Sequence, residues 1–240
     1  MFAYIGTPGM IADLLLKFGQ LSLFGMSLDG KGHRDGWGIG YYPPCSDPSP
    51  DSDPGPPHLV KRAECALDSS TYSDTVHRVE AAGPSVVLAH LRKASPDTPV
   101  TIHETHPFMH GTMLFCHNGT IFSSGNQPLG PDLDSVQLFQ KIRECSLEKA
   151  ISFFWDYQYT SLSCMLTDGN TIWAYRDFRK DEEYYTVYYL ASDSCVILCS
   201  EPLFPGDWRL LQNHELVSVS HDFQIRSTKL SSKSPAPRVP

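Results

Sequence analysis

The chain has 240 residues, which is enough for one large domain whose core needs no metal or disulfide to hold it. Hydrophobic residues make up 41% and charged residues 19%, a balance that is typical of a folded protein and excludes a mainly disordered one. With 19 Lys and Arg against 27 Asp and Glu, the net charge is -8, and no basic run indicates a nucleic-acid surface.

The first predicted element is an amphipathic helix. Apolar residues recur at helical spacing from Met10 to Phe18, after Pro8 and before Gly19. Strands are predicted along much of the remaining chain, at residues 37–42, 85–90, 113–117, 161–166, 171–175, 184–191, 195–198 and 216–219. Two further helices are predicted over residues 135–154, broken near Ser146.

Two segments are predicted to lie outside the packed core. Residues 43–57 are rich in proline and aspartate, so we expect a solvent-exposed insertion there. Residues 229–240 are predicted to form a flexible Ser/Pro/Lys tail. The remainder, residues 1–228, is predicted to be a single α+β domain, because strands outnumber helices and no βαβ alternation is present.

Sequence features also bear on location and on cofactors. No apolar stretch approaches the roughly 20 residues of a membrane span, and the first ten residues lack the basic and apolar regions of a signal peptide. The 7 cysteines contain no C-x-x-C pair. Although His103, His106 and His110 could ligate a metal, nothing completes a familiar ligand spacing. We therefore expect a cytoplasmic protein with no cofactor and no metal.

Three polar clusters adjoin predicted strands, where a strand holds side chains rigidly at the rim of a pocket. The first is Gly32–Gly38. The second, Ala89–Ser95, places Arg92 just past a buried strand, where a guanidinium can bind a carboxylate through two hydrogen bonds. The third, Phe115–Thr120, contains an Asn-Gly pair whose amide and backbone N–H can point at one oxyanion. Taken singly, these patterns also describe a surface ion pair and a turn.

Taken together, the clusters resemble the stand-alone class II glutamine amidotransferase-like family. The resemblance rests on a series of motifs in order, namely GHRDGWGIGYY, AHLRKAS, ETHPF, FCHNGTI, Leu133-Asp134-Ser135 and Ser200-Glu201-Pro202-Leu203 followed by Trp208. It extends from Met1 to about Val219. It implies the four-layer αββα sandwich of the N-terminal nucleophile hydrolases. It also implies hydrolysis of glutamine or of γ-glutamyl compounds, as in ergothioneine biosynthesis and glutathione degradation.

The resemblance assigns roles to individual residues. Arg92 would bind the α-carboxylate of glutamine or of a γ-glutamyl group, with Ser95 beside it. Asp134 would accept the substrate α-amino group. Asn118 and Gly119 would form the oxyanion hole. The pocket wall would be formed by further side chains, namely His33, Asp35 and His106 with Pro107 and Phe108.

The chain departs from the family at the nucleophile. Members begin Met-Cys, and removal of the methionine leaves a cysteine whose own α-amino group serves as the base for its thiol. Here Phe2 stands at that position, and a phenyl group has no nucleophilic atom. Its bulk would also hinder removal of Met1. Thr7 could substitute only if much of the first strand were cleaved away, and Cys116 is expected to lie in the core.

Three hypotheses about function follow. In the first, the chain binds glutamine or a γ-glutamyl compound without the usual activity, as a sensor or as a non-catalytic subunit beside a protein that supplies the acceptor or a second activity. In the second, it is an active glutaminase or γ-glutamyl hydrolase that uses another nucleophile, or Phe2 is an engineered or erroneous replacement of cysteine. In the third, the insertion makes it a structural interaction module. No nucleic-acid or membrane partner is expected.

Overall fold

The structure is a computed structural model that describes residues 1–44, 54–95, 98–123, 127, 129–130 and 133–231. The elements in these ranges are, in chain order, β1 (Phe2–Gly6), α1 (Ile11–Phe24), β2 (Gly36–Tyr41), β3 (His58–Arg62), α2 (Ser70–Ala82), β4 (Val86–Arg92), β5 (Phe108–His110), β6 (Met113–Asn118), β7 (Ile121–Phe122), α3 (Asp134–Glu144), α4 (Leu147–Phe154), β8 (Gln158–Tyr159), β9 (Ser163–Thr167), β10 (Thr171–Arg176), β11 (Tyr188–Ala191), β12 (Cys195–Cys199), β13 (Arg209–Leu210), β14 (Glu215–Ser220) and β15 (Ile225–Lys229).

Two antiparallel sheets stack face to face. The first has the strand order β13-β11-β12-β1-β4-β2-β3, and the second has the order β15-β14-β10-β9-β6-β5. Helices α1 and α2 cover the outer face of the first sheet, helices α3 and α4 cover the outer face of the second, and a third apolar core fills the space between the sheets. The predicted α+β fold, a four-layer αββα sandwich, is confirmed.

Side chains of β1 alternate between two of these cores. Phe2 packs among the residues of α1 and α2, with its ring centroid 5.3 Å from that of Phe18. Met1, Ala3 and Ile5 instead face the second sheet. Because successive residues of a strand project to opposite faces, every position of this central strand belongs either to the helix layer or to the space between the sheets.

Several elements differ from their prediction. Helix α1 continues through Gly19 to Phe24, because a side chain at Gly19 would lie 2.7 Å from Tyr72 of α2, so the glycine is a packing position rather than a helix end. The predicted strand 184–191 is confined to Tyr188–Ala191. Helix α2 and strand β3 were not predicted, because the buried face of α2 includes the polar Thr75 and β3 is only half-buried.

The two peripheral segments are only partly described. Residues 45–53 of the predicted insertion and residues 232–240 of the predicted tail lie outside the described residues. Lys229, the first residue of that tail, is instead the last residue of β15. The domain boundary at residue 228 stays a prediction.

The close approach of one loop to β2 gives a test of the packing. A β-carbon at Gly38 would lie 2.2 Å from the backbone oxygen of His106. We therefore expect Gly38→Ala to lower the free energy of unfolding by about 1–3 kcal/mol, as overpacked core positions do. Denaturant unfolding measures the change. Gly206→Ala is the matched control, because it is exposed and its nearest neighbour is the tip of the Leu190 side chain. Equal stability of the two variants would contradict the packing.

Candidate functional site

The three predicted clusters meet at one end of the sandwich. Strand β2 begins beside the end of β4, which carries Arg92. The hydroxyl oxygens of Ser95 and Thr120 lie 3.3 Å apart and connect the turn after β4 to the turn after β6. Asp134, the first residue of α3, accepts a hydrogen bond at 2.7 Å from the backbone N–H of Ile121. Residues far apart in sequence are thus connected by direct hydrogen bonds.

The Asn118-Gly119 turn has a shape that only glycine fits. Gly119 has a φ of 152°, and a β-carbon there would lie 2.0 Å from the carbonyl oxygen of Ser161. Asn118, half-buried, is the last residue of β6. The turn places Asn118 and Gly119 next to each other at the end of β6, and their role as an oxyanion hole stays a prediction.

His117 holds this turn in place, and the sequence analysis gave it no such role. It is 3% exposed, and burial lowers its pKa, so the neutral ring is favoured. Its Nε2 lies 3.1 Å from the carbonyl oxygen of Ser161 and therefore carries the proton, while Nδ1 lies 2.9 Å from the hydroxyl oxygen of Ser135 and accepts from it. A histidine at the end of an apolar strand, next to Asn-Gly, was the available signal.

Three polar side chains at this end are deeply buried. Arg92, His90 and His106 are 4%, 6% and 6% exposed, and the two imidazole centroids lie 4.6 Å apart. Within the described ranges, no hydrogen bond reaches Nη1 of Arg92, Nδ1 of His90 or either ring nitrogen of His106. Buried polar groups in folded proteins are normally hydrogen-bonded, so these atoms are able to bind a polar ligand.

The charge of this set favours an anion. Burial lowers the pKa of both His90 and His106 well below the ordinary range, and the nearby positive charges of Arg92 and of the N-terminus lower both further. Burial lowers the pKa of Arg92 too, but a guanidinium remains charged in proteins. The site therefore presents the positive charge of Arg92 with neutral imidazoles beside it, and the N-terminal ammonium adds a positive charge nearby.

Asp35 and His33, which were also predicted to form the pocket wall, make different contacts. Oδ2 of Asp35 accepts the backbone N–H of Ala94 at 2.8 Å, and the N–H of Asp35 donates to the carbonyl of Arg92 at 3.0 Å, so Asp35 fixes the loop after β4. His33 Nε2 lies 4.0 Å from the carboxylate of Glu201. Burial lowers the pKa of His33 to about 4, so this contact is not an ion pair at neutral pH.

The side chain of Phe2 faces away from this site. Phe2 is fully buried beside Phe18, and it pairs with Ala89, which shares its face of the sheet. Arg92 lies three residues further along β4 and so projects to the opposite face. The side chain of Phe2 thus lies on the helix-facing side of the sheet, and the assignment of position 2 to the lost nucleophile stays a prediction. The face of β1 that borders the site is the one that carries Met1.

The described residues also bear on two further features, a metal site and a membrane-spanning helix. Within those ranges, no group of three or more His, Cys, Asp and Glu side chains could hold a metal ion, which includes the set His103, His106 and His110. No helix of the described chain is long and apolar enough to cross a bilayer.

Cys116 is fully buried between the sheets, as predicted, and burial raises its thiol pKa to about 12.

A family-level match agrees with this fold and site. Residues 9–151 match the family described as "Glutamine amidotransferases class-II". This span is more than half of the chain. The protein therefore belongs to the class II glutamine amidotransferase family.

Known relatives agree at the level of sequence and fold. The chain is 25% identical to an uncharacterized protein of Methanocaldococcus jannaschii over 88% of this chain and 68% of that protein. It resembles a glutamine aminotransferase class-II domain protein from Silicibacter pomeroyi, with a TM-score of 0.62, 20% identity and coverage of 96% and 98% of the two chains. The glutamine phosphoribosylpyrophosphate amidotransferase of B. subtilis gives a TM-score of 0.64 at 11% identity, with 97% of this chain matching 49% of that enzyme.

The buried histidines predict a pH dependence of stability. The folded pKa of His90 and of His106 lies below the unfolded value of about 6.5, so their stabilising effect is complete above that pH and is lost as the pH falls toward the folded pKa. We expect the free energy of unfolding to fall on acidification from about pH 7.5 to about pH 5.5, by about 1.4 kcal/mol per pH unit for each extra proton that the unfolded chain binds.

Denaturant unfolding at the two pH values measures this dependence. The variant His90→Asn/His106→Asn should show a shallower pH dependence than the parent. His77→Asn is the control, because His77 is exposed on α2. A parent whose stability does not change with pH would contradict the assignment of buried, neutral rings.

Proposed function

We propose that this chain binds glutamine or a γ-glutamyl compound at the Arg92 end of the sandwich. In this proposal, Arg92 binds the α-carboxylate, Asp134 accepts the α-amino group, and Asn118 and Gly119 receive the γ-carbonyl oxygen. The 240-residue chain would lack the usual N-terminal cysteine reaction, because Phe2 supplies no nucleophile.

The Nη1 atom of Arg92, which is buried and has no hydrogen-bond partner in the described chain, carries this proposal. A buried arginine costs desolvation free energy, which an ion pair or a bound anion offsets. Nη1 of Arg92 has no partner in the described chain, and Asp35 and Glu104 act on the guanidinium only through longer-range electrostatics. An α-carboxylate matches the planar geometry of a guanidinium, which can bind it through two parallel hydrogen bonds.

The connected turns support the orientation of the ligand. The hydrogen bond from Ile121 N–H to Asp134 joins the carboxylate proposed for the α-amino group to the turn proposed for the oxyanion hole. His117, which directly precedes that turn, hydrogen-bonds Ser135 next to Asp134 on α3, and it also bonds the carbonyl of Ser161 before β9. A γ-glutamyl group carries its α-amino and γ-carbonyl groups on one short chain, so a fixed spacing between the two partners favours this class of ligand.

An active enzyme is the second candidate, and the orientation of β1 favours a specific form of it. Because the site borders the Met1 face of β1, a nucleophile would have to lie on that face and not at position 2. Glutamate release from glutamine tests this form. Release by the parent that disappears in Arg92→Ala would support an active glutaminase in which another nucleophile uses the same site.

A non-catalytic role would require a partner. In that case a second protein would supply the acceptor or the second activity. The six described cysteines are free thiols, and this supports the further proposal of a reducing, cytoplasmic compartment.

Replacement of Arg92 tests the binding proposal. Calorimetric titration of the parent with L-glutamine and with γ-glutamyl dipeptides should show saturable binding, and Arg92→Ala should weaken it by about 10- to 100-fold, because a charged hydrogen bond contributes about 1.5–3 kcal/mol. Arg209→Ala is the control, since Arg209 is exposed and contacts only Tyr189 among the described residues. Binding that is absent in the parent, or equal in both variants, would contradict the proposal.

Replacement of Phe2 tests the orientation of β1. We expect Phe2→Cys to release no glutamate from glutamine, because the new thiol would lie beside Phe18 and away from Arg92. The assay needs a reductant, since Cys199 is the cross-strand neighbour of position 2. Intact mass must confirm the state of Met1. Glutamate release that disappears in Phe2→Cys/Arg92→Ala would show instead that position 2 reaches the site.

A further inference from the structure

A groove outside the proposed glutamine site lies between the edges of the two sheets. It has a volume of about 390 Å³, within the range of small-molecule sites. Its walls come from the edge strand β3, the edge strand β5 and helix α3. Leu59, Phe108, Val136 and Phe139 give it an apolar lining.

The polar residues of the groove are basic. Lys61 and Arg143 line it, and His110 adds an imidazole. None of its described lining residues is a carboxylate, although the chain as a whole has a net charge of -8. The adjacent Glu144 forms an ion pair with Lys141 at 3.1 Å and interacts with Arg143 through longer-range electrostatics.

A second surface depression differs from this groove, because its lining includes both a lysine and a carboxylate. It lies between α3 and α4, has a volume of about 430 Å³, and contains both Lys141 and Glu144. There the lysine is neutralised by its own neighbour. The groove between the sheet edges has cations of the same kind and no carboxylate among its described lining residues, and Glu104 acts on Lys61 from outside the lining.

Lys61 is held in position in the groove. Its Nζ donates to the carbonyl of Thr105 at 2.7 Å and lies 5.3 Å from the centroid of the Phe108 ring. Partial burial lowers its pKa, an effect that a bound anion would oppose. Lys61 is thus placed above an aromatic surface, which suits a ligand with an anionic group attached to an apolar body.

We propose that this groove binds a small organic anion that carries an apolar or aromatic body, with Lys61 and Arg143 on its carboxylate or phosphate and Phe108 and Phe139 against its body. The groove shares Phe108 with the wall predicted for the glutamine site, but its lining includes none of Arg92, Asn118, Gly119 and Asp134. The loop that ends in Phe108 connects the two, because the Phe108 and His106 ring centroids lie 4.4 Å apart.

Calorimetric titration of the whole chain with 3-phenylpropionate tests the proposal. The parent should bind this probe saturably at millimolar concentration or below. The uncharged amide of the same acid should bind at least about tenfold more weakly, because it cannot form the charged hydrogen bonds. Phosphate and phenyl phosphate, titrated in parallel, show whether the site takes a phosphate as well as a carboxylate.

Two variants and one control locate the binding. Arg143→Gln and Lys61→Met should each weaken binding of 3-phenylpropionate by about tenfold. Arg143 is exposed, so its variant is expected to fold even if Lys61→Met does not. Lys141→Met, on the same helix but outside the groove, should leave the affinity unchanged.

Three outcomes would overturn the proposal. They are the absence of saturable binding, equal affinity for the acid and its amide, and affinity that neither Arg143→Gln nor Lys61→Met reduces. Binding of an acidic peptide where 3-phenylpropionate fails would also overturn it, in favour of a macromolecular partner. Because Arg92→Ala should not affect binding of 3-phenylpropionate, this result is independent of whether glutamine binds.

Discussion

The two-residue period of the central strands determines most of this structure. Strands β1 and β4 lie in the middle of the first sheet with both faces covered, so each of their side chains enters either the helix layer or the space between the sheets. Apolar residues satisfy both environments along most of each strand. At one end of β4, His90 and Arg92 bring polar groups into the space between the sheets. The location of the site and the orientation of Phe2 both follow from this alternation.

The cost of burying charge explains the character of the site. The structure places one guanidinium and two neutral imidazoles in a region with few polar partners, where solvation by water is reduced. Burying these polar groups without partners costs desolvation free energy, and a bound anion offsets part of that cost. Hydrogen bonds elsewhere keep the neighbouring turns rigid, in particular the contacts that His117 makes to Ser135 and Ser161. This arrangement supports the proposal that the site binds a ligand with a carboxylate.

The sequence predicted the fold class and the grouping of the site, because both depend on local patterns. Alternating apolar residues revealed the buried strands, and polar motifs at strand ends revealed Arg92 and the Asn118-Gly119 turn. Other features depend on contacts between distant segments. Nothing near Gly19 indicates that Tyr72 needs its space, and the partners of His117 lie on α3 and before β9. The face on which Phe2 lies could not be predicted either, because both faces of β1 are apolar.

A crystal structure of the chain with bound L-glutamate tests the central claim most directly. The account predicts the α-carboxylate on the guanidinium of Arg92, the α-amino group on Asp134 and the γ-carboxylate at the backbone N–H of Gly119. The Phe2 ring should remain against Phe18, on the far side of the sheet. Glutamate bound elsewhere, or bound with its α-carboxylate away from Arg92, would contradict the account.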